Sequence, residues 1–160
     1  MSKPVADNPL LSDDAVDSLL VSLSGHHLLV PMAAVAEIVQ QVDCQRDDHQ
    51  PPWLQGWINW RNERIPLLSF ESLVGDERAV LGDRAMALVL YRILPDGSNK
   101  FYALQVQSFP HLIRLADDGL LQQVSLPELS PYVLMMVAVR EQQALIPDLD
   151  KIEQLLAEVL

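Results

Sequence analysis

The side chains best equipped for chemistry sit in one short stretch: Cys44, Asp47, Asp48 and His49 fall within six positions. A thiolate, an imidazole and carboxylates are donors a zinc ion accepts. All four lie on one loop, however, and no second ligand pair stands elsewhere at a familiar spacing. The stretch reads as a solvated acidic loop. His26 and His27 stand at a predicted turn, and His111 stands apart. Asp117-Asp118-Gly119 has the composition of a turn. There is no P-loop, no Gly-x-Gly-x-x-Gly and no Gly-x-Ser-x-Gly, and six glycines make a phosphate cradle hard to build. No nucleophile, base and orienting group can be named together. The expectation is a protein that is not an enzyme, with no catalytic residue, no metal and no cofactor.

Residues suited to recognition are easier to find. Trp53, Trp57 and Trp60 are followed by Arg61 and Arg64. On a strand, Trp57, Asn59 and Arg61 share one face, and Ile58 and Trp60 the other. Two readings are open: all three tryptophans are core, or one lies in a binding surface, where Trp and Arg are favoured anchors.

The elements that must position these residues are mostly short strands. Residues 19–23 and 28–30 are apolar and flank Ser24-Gly25-His26-His27, a hairpin pattern that Pro31 ends. Residues 33–39 carry Val35, Ile38 and Val39 at spacings of three and four, which predicts a helix of about two turns behind Pro31. Residues 40–52 read as a loop. Residues 57–61 and 64–69 flank Asn62-Glu63, a second hairpin. Phe70 to Val74 suits a single helical turn stopped by Gly75, and residues 76–84 suit a loop. Residues 86–94 and 101–106 flank Pro95-Asp96-Gly97-Ser98-Asn99, the clearest hairpin signal. Residues 109–115 suit a further strand, and 133–139 with 144–147 a last hairpin. Then the period changes: Leu149, Ile152, Leu156 and Val159 form one apolar face of a helix that Asp148 can cap. Many short strands with few helices indicate a mainly β fold of barrel or sandwich type.

Bulk properties narrow the function. The 160 residues hold 22 acidic and 11 basic side chains, net −11, and 49% are hydrophobic. That is too apolar for a disordered chain, and an acidic surface repels phosphate backbones and anionic lipid headgroups. Nucleic acid is not an expected partner. The apolar runs are far shorter than the roughly 20 residues of a membrane helix, so no direct membrane insertion is expected. Cys44 is the one cysteine, so no intrachain disulfide forms. Residues 1–17 carry four aspartates and one lysine, without the basic and apolar runs of a signal peptide. They read as a flexible acidic tail ahead of one domain over 18–160, in a cytoplasmic protein.

The segment from Gly56-Trp57-Ile58-Asn59-Trp60-Arg61 through Asn62-Glu63-Arg64 to Ile65-Pro66-Leu67-Leu68-Ser69-Phe70 resembles the CheW-like family. In that family a Gly-x-x-Asn-x-Arg-Gly strand turns into an apolar-Pro-apolar strand. Val35-Ala36-Glu37-Ile38 matches its Val-x-Glu-Ile helix, and Pro51-Pro52-Trp53-Leu54-Gln55-Gly56 its proline-rich approach to the Gly. The three occur in order, the order and spacing run on through the C-terminal helix, and the resemblance covers about residues 18–160. There are departures. The family usually has Gly where Asn62 stands, often Asp where Ser69 stands, and often Asp near Gln107. A Gly expected near the last hairpin is replaced within 133–137. These mark a divergent member, such as an accessory adaptor of a pilus-linked chemosensory system.

The resemblance implies two small five-stranded β-barrel subdomains of SH3-like type, with a short helix and a C-terminal amphipathic helix. It implies a scaffold at membrane chemoreceptor arrays, whose partners are the regulatory domain of a CheA-type histidine kinase and the cytoplasmic tip of a methyl-accepting chemoreceptor. By motif, the partner-binding residues are Val35, Glu37, Gly56, Asn59 and Arg61; Arg61 either touches a partner or organises the fold. Two alternatives stay open: a divergent relative that binds only kinase, receptor or another adaptor, and a small β-barrel ligand-binding module.

Overall fold

In a computed structural model, the residues described are 16–23, 25–46, 49–75, 85–94, 99–115, 121–124, 130–139 and 141–160. Residues 1–15 of the expected tail, the loop at 76–84, residues 95–98 of the expected turn and Asp117-Asp118-Gly119 lie outside them. Strand β1 (Val16–Ser22) already includes Asp17. It pairs with β2 (His27–Pro31) in the first hairpin. A single 3-10 turn, Met32–Ala34, leads into β3 (Val35–Val39). The second hairpin is β4 (Leu54–Trp60) with β5 (Glu63–Leu68), followed by the helical turn α1 (Phe70–Leu73). The third is β6 (Met86–Ile93) with β7 (Asn99–Val106). After β8 (His111–Leu115) and β9 (Leu121–Val124) comes the last, β10 (Val133–Val139) with β11 (Gln142–Pro147), and then α2 (Leu149–Val159).

Two sheets result, one of six strands ordered β9-β10-β11-β2-β1-β8 and one of five ordered β3-β6-β7-β5-β4. The expected mainly β fold in two subdomains, with a short helix and a C-terminal amphipathic helix, is present. One body has six strands rather than five, and neither sheet closes on itself by hydrogen bonds among the described residues. The five-stranded sheet comes from one continuous stretch. The six-stranded sheet joins both ends of the chain through a parallel contact of β11 with β2, Leu145 opposite Leu28.

Both faces of each sheet are apolar. In β1, Leu19 and Val21 face one cluster and Leu20 another; in β6, Leu88 and Leu90 face one and Ala87 and Val89 another. The largest cluster lies between the sheets. Leu28 and Val30 come from one side, Leu88, Tyr102 and Leu104 from the other, and Ile152 and Leu156 from α2. Strands covered on both faces need continuous apolar runs rather than alternation, as residues 86–90 show. Tyr102 is fully buried here, its hydroxyl without a hydrogen-bond partner, and burial pushes its pKa far up. Smaller clusters fill the inner face of each sheet.

The helix expected over 33–39 does not form. A β-bulge between Val35 and Glu37 inserts Ala36 into the edge strand. Val35 and Ile38 therefore pack on the central cluster, and Ala36 and Val39 on the cluster of the five-stranded sheet. A bulge thus produces a spacing of three that imitates a helix. The second turn also sits one residue earlier than expected: Trp60 opposes Glu63, so Arg61 and Asn62 are its central residues.

The caps follow the sequence. The Asp148 carboxylate accepts from the Lys151 amide at 3.1 Å, and the Ser69 hydroxyl from the Ser72 amide at 3.3 Å. Among the described residues no helix is long and apolar enough to cross a membrane. Because Leu156 is fully buried where the sheets meet, Leu156→Ala should lower unfolding stability by about 2–5 kcal/mol, seen as a lower urea midpoint.

Candidate functional site

Glu37 and Arg61 lie 24 residues apart and meet in space. The Arg61 guanidinium donates to Glu37 Oε1 at 2.6 Å. Each is brought there by a local irregularity. The bulge in β3 sets Glu37 opposite Val89 while leaving Val35 opposite Leu90, so Glu37 leans towards the side where Ile58 and Trp60 pack. Arg61 has φ 48° and Asn62 φ 64°, the left-handed pair of a two-residue hairpin turn. The turn lays the Arg61 guanidinium over the Trp60 ring, 4.8 Å from its centroid. β3 and β4 are the two edges of their sheet. The ion pair therefore bridges a sheet that rolls up without hydrogen-bonded closure.

The pair is not a buried charge cluster. The Arg61 and Glu37 side chains are 67% and 38% exposed, and exposed pairs contribute little to stability. Arg61 is therefore accessible to a partner while Glu37 and Trp60 restrain it. Asn59, also exposed, stands on the same hairpin opposite Arg64. Val35 is half-buried and faces the central cluster.

Gly56 acts through its backbone. It lies at a second bulge, between Leu54 and Gly56, with φ 151°. Beside it, Gln45 pairs with Trp57 through two backbone hydrogen bonds of 2.8 Å. A Cβ on Gly56 would overlap the Gln45 carbonyl and the Cys44 sulfur. Only glycine lets this segment cover the β4 edge. At about 3.4 Å per strand residue, Gly56 is some 17 Å from Arg61. Of the five residues that the motifs single out, the structure thus joins Glu37 and Arg61, sets Asn59 beside them, and leaves Val35 and Gly56 in supporting positions.

Cys44 is half-buried against the cluster of the five-stranded sheet. Burial, the largest effect, raises its pKa, and the Arg46 charge acts the other way. Asp47 and Asp48 are outside the described residues. No group of three His, Cys, Asp or Glu among the described residues could hold a metal.

Two features escaped the sequence reading. The bulged Gln55 is fully buried, donating through Nε2 to Gln105 Oε1 at 2.8 Å and accepting from Arg46 at 3.3 Å. Arg64 lies over the Trp57 ring, 4.6 Å from its centroid. The spacing of Trp57 and Arg64 across a two-residue turn was the signal for the second. Of the tryptophans, Trp60 is buried against Phe101 at 4.7 Å, whereas Trp53 and Trp57 are half-buried.

The CheW-like domain family matches residues 17–156. No curated protein matches. Among solved structures, the scaffolding protein TtCheW from Thermoanaerobacter tengcongensis is similar, with a TM-score of 0.66 and 16% identity over 82% of this chain and 83% of that one. At that identity the likeness concerns the fold.

Two outcomes are expected. A double-mutant cycle of Glu37→Ala and Arg61→Ala, read by urea unfolding, should give a coupling of only about 0.2–1 kcal/mol. Gly56→Ala should destabilise by about 1–3 kcal/mol through overpacking, and Cys44 should then react faster with a thiol reagent than in the unaltered protein.

Proposed function

The chain belongs to the CheW-like domain family, and from that membership we propose that it is a non-enzymatic adaptor that couples a chemoreceptor to a CheA-type histidine kinase. The observation that carries the reading is the juxtaposition of Glu37 and Arg61, two motif positions, as a restrained yet accessible pair at a rolled sheet edge. An adaptor needs no reaction. It needs one stiff body with surfaces for two partners, so that a displacement of one is felt by the other.

The receptor tip, a helical hairpin, would lie with an apolar stripe against the neighbourhood of β3 in helix-in-groove fashion. Met32, 47% exposed just ahead of β3, offers apolar surface there. Glu37 and Arg61 would fix register by charge, and Asn59 would add a hydrogen-bonding rim. The regulatory domain of the kinase would occupy a second face. On this reading the protein works in the cytoplasm, at membrane-bound receptor arrays. The departures at Asn62 and Ser69 sit easily with it. Asn tolerates the left-handed turn that Gly would take, and Ser caps α1 as Asp would.

The test is titration of the full chain against an isolated CheA-type regulatory domain and, separately, against a receptor cytoplasmic tip. Dissociation constants on the order of micromolar are expected for both. Arg61→Ala should weaken one of them by about tenfold with an unchanged circular dichroism spectrum. Binding to one partner alone would replace the coupling role with that of a one-partner relative. Binding to neither would refute the adaptor reading.

A further inference from the structure

A groove of about 540 Å³ runs between the β4–β5 hairpin, the connected end of the β6–β7 hairpin at Arg92 and Lys100, and the last turns of α2. Trp57 from the hairpin and Leu160 at the end of α2 supply accessible apolar wall. Arg64, Arg92 and Lys100 supply the charge, against one acidic side chain, Glu63, in the same lining. On a chain of net −11, a local excess of cations is a departure from the general surface. Among the described residues these cations are also not used up in ion pairs, which engage Arg61 and Arg114 but none of Arg64, Arg92 and Lys100. Glu153, half-buried on α2, is within electrostatic reach of Arg92 without an ion-pair contact. Arg64 is already placed, its guanidinium stacked on Trp57 at 4.6 Å, so little side-chain freedom is lost when it binds.

We propose that this groove docks an acidic amphipathic segment of a partner protein, with a large apolar side chain against Trp57 and Leu160 and carboxylates reaching Arg64, Arg92 and Lys100. Charge complementarity decides the class of occupant. The acidic remainder of the surface repels an acidic partner elsewhere, so the groove is where such a segment can settle. A half-buried tryptophan with an arginine over it is the type of anchor on which interface energy concentrates. The site is separate from the Glu37–Arg61 pair, because Trp57 and Arg64 lie on the strands of the hairpin and Arg61 at its tip. It does not depend on which partner that pair meets.

The test follows tryptophan fluorescence, to which Trp57 contributes with Trp53 and Trp60, while the full chain is titrated with a synthetic peptide repeating Glu-Glu-Leu-Phe, and with its Lys-Lys-Leu-Phe counterpart. The expected result is saturable binding of the acidic peptide alone, weakened at least about tenfold by the double substitution Arg64→Glu and Lys100→Glu, and weakened by salt. Both positions are exposed, and circular dichroism confirms that the variant folds. Arg61→Ala should leave this binding unchanged, which separates the groove from the surface that Arg61 serves. Absent saturation, equal binding of the two peptides, or indifference to the double substitution would overturn the proposal. So would binding to phosphatidylglycerol vesicles without binding to the peptide, or self-association abolished by the double substitution; these would assign the groove to a lipid surface or to a second copy.

Discussion

Ile152 and Leu156 project from one face of α2 into a cluster that already holds Leu28, Val30 and Leu145 from one sheet and Leu88, Leu90 and Leu104 from the other. Each of these sheets buries apolar side chains on its second face as well. Neither could stand alone, because separating them would expose the central layer to water. At about 1.5–3 kcal/mol per large apolar side chain buried, that layer outweighs any surface ion pair in the molecule. The relative placement of the two β bodies, and with it the stiffness an adaptor requires, rests on this contact. The charged pair at the sheet edge is free to serve recognition because the fold hardly needs it.

The irregularities of the backbone are concentrated where the side chains matter. The bulge at Ala36 turns Glu37 towards Arg61, and the bulge at Gln55 buries an amide against Gln105 while Gly56 admits the Gln45 segment. Arg61 adopts a left-handed conformation that costs about 1–2 kcal/mol for a residue with a Cβ. The ladder of β4 with β5 and the stacking on Trp60 offset it. Strain held by a well-paired hairpin keeps a long, flexible side chain in one place.

Hairpins were legible where turn chemistry and flanking apolar runs agreed, as at residues 86–106 and 133–147. The caps at Ser69 and Asp148 and the face of α2 were legible too, because a single side-chain oxygen or a period of 3.6 decides them. The misread segment, 33–39, is instructive. A bulge carries no residue type of its own, and here its two-faced packing wrote a helical spacing into an edge strand. β9, Leu-Gln-Gln-Val, is short and half polar, and only its pairing with β10 makes it a strand. At the site, motif comparison named Glu37 and Arg61, but their contact depends on how the sheet rolls, which no local pattern records. The Trp57–Arg64 stack lay hidden for the same reason: a residue pair across a hairpin is visible only once register is known.

The parallel contact of Leu145 with Leu28 has a consequence for biosynthesis. A ribosome delivers the first hairpin early, but its neighbour β11 emerges more than a hundred residues later. The stretch between contains the whole five-stranded sheet, whose pairings are all internal to residues 35–106. A nascent chain can therefore complete the second body while β2, paired with β1 on one side, still presents its other edge open at Leu28. Such an edge is a template for wrong partners until the last hairpin arrives. The order of elements along the chain makes the first-made strands the last to be sheltered, and places the period of greatest aggregation risk within translation rather than after it.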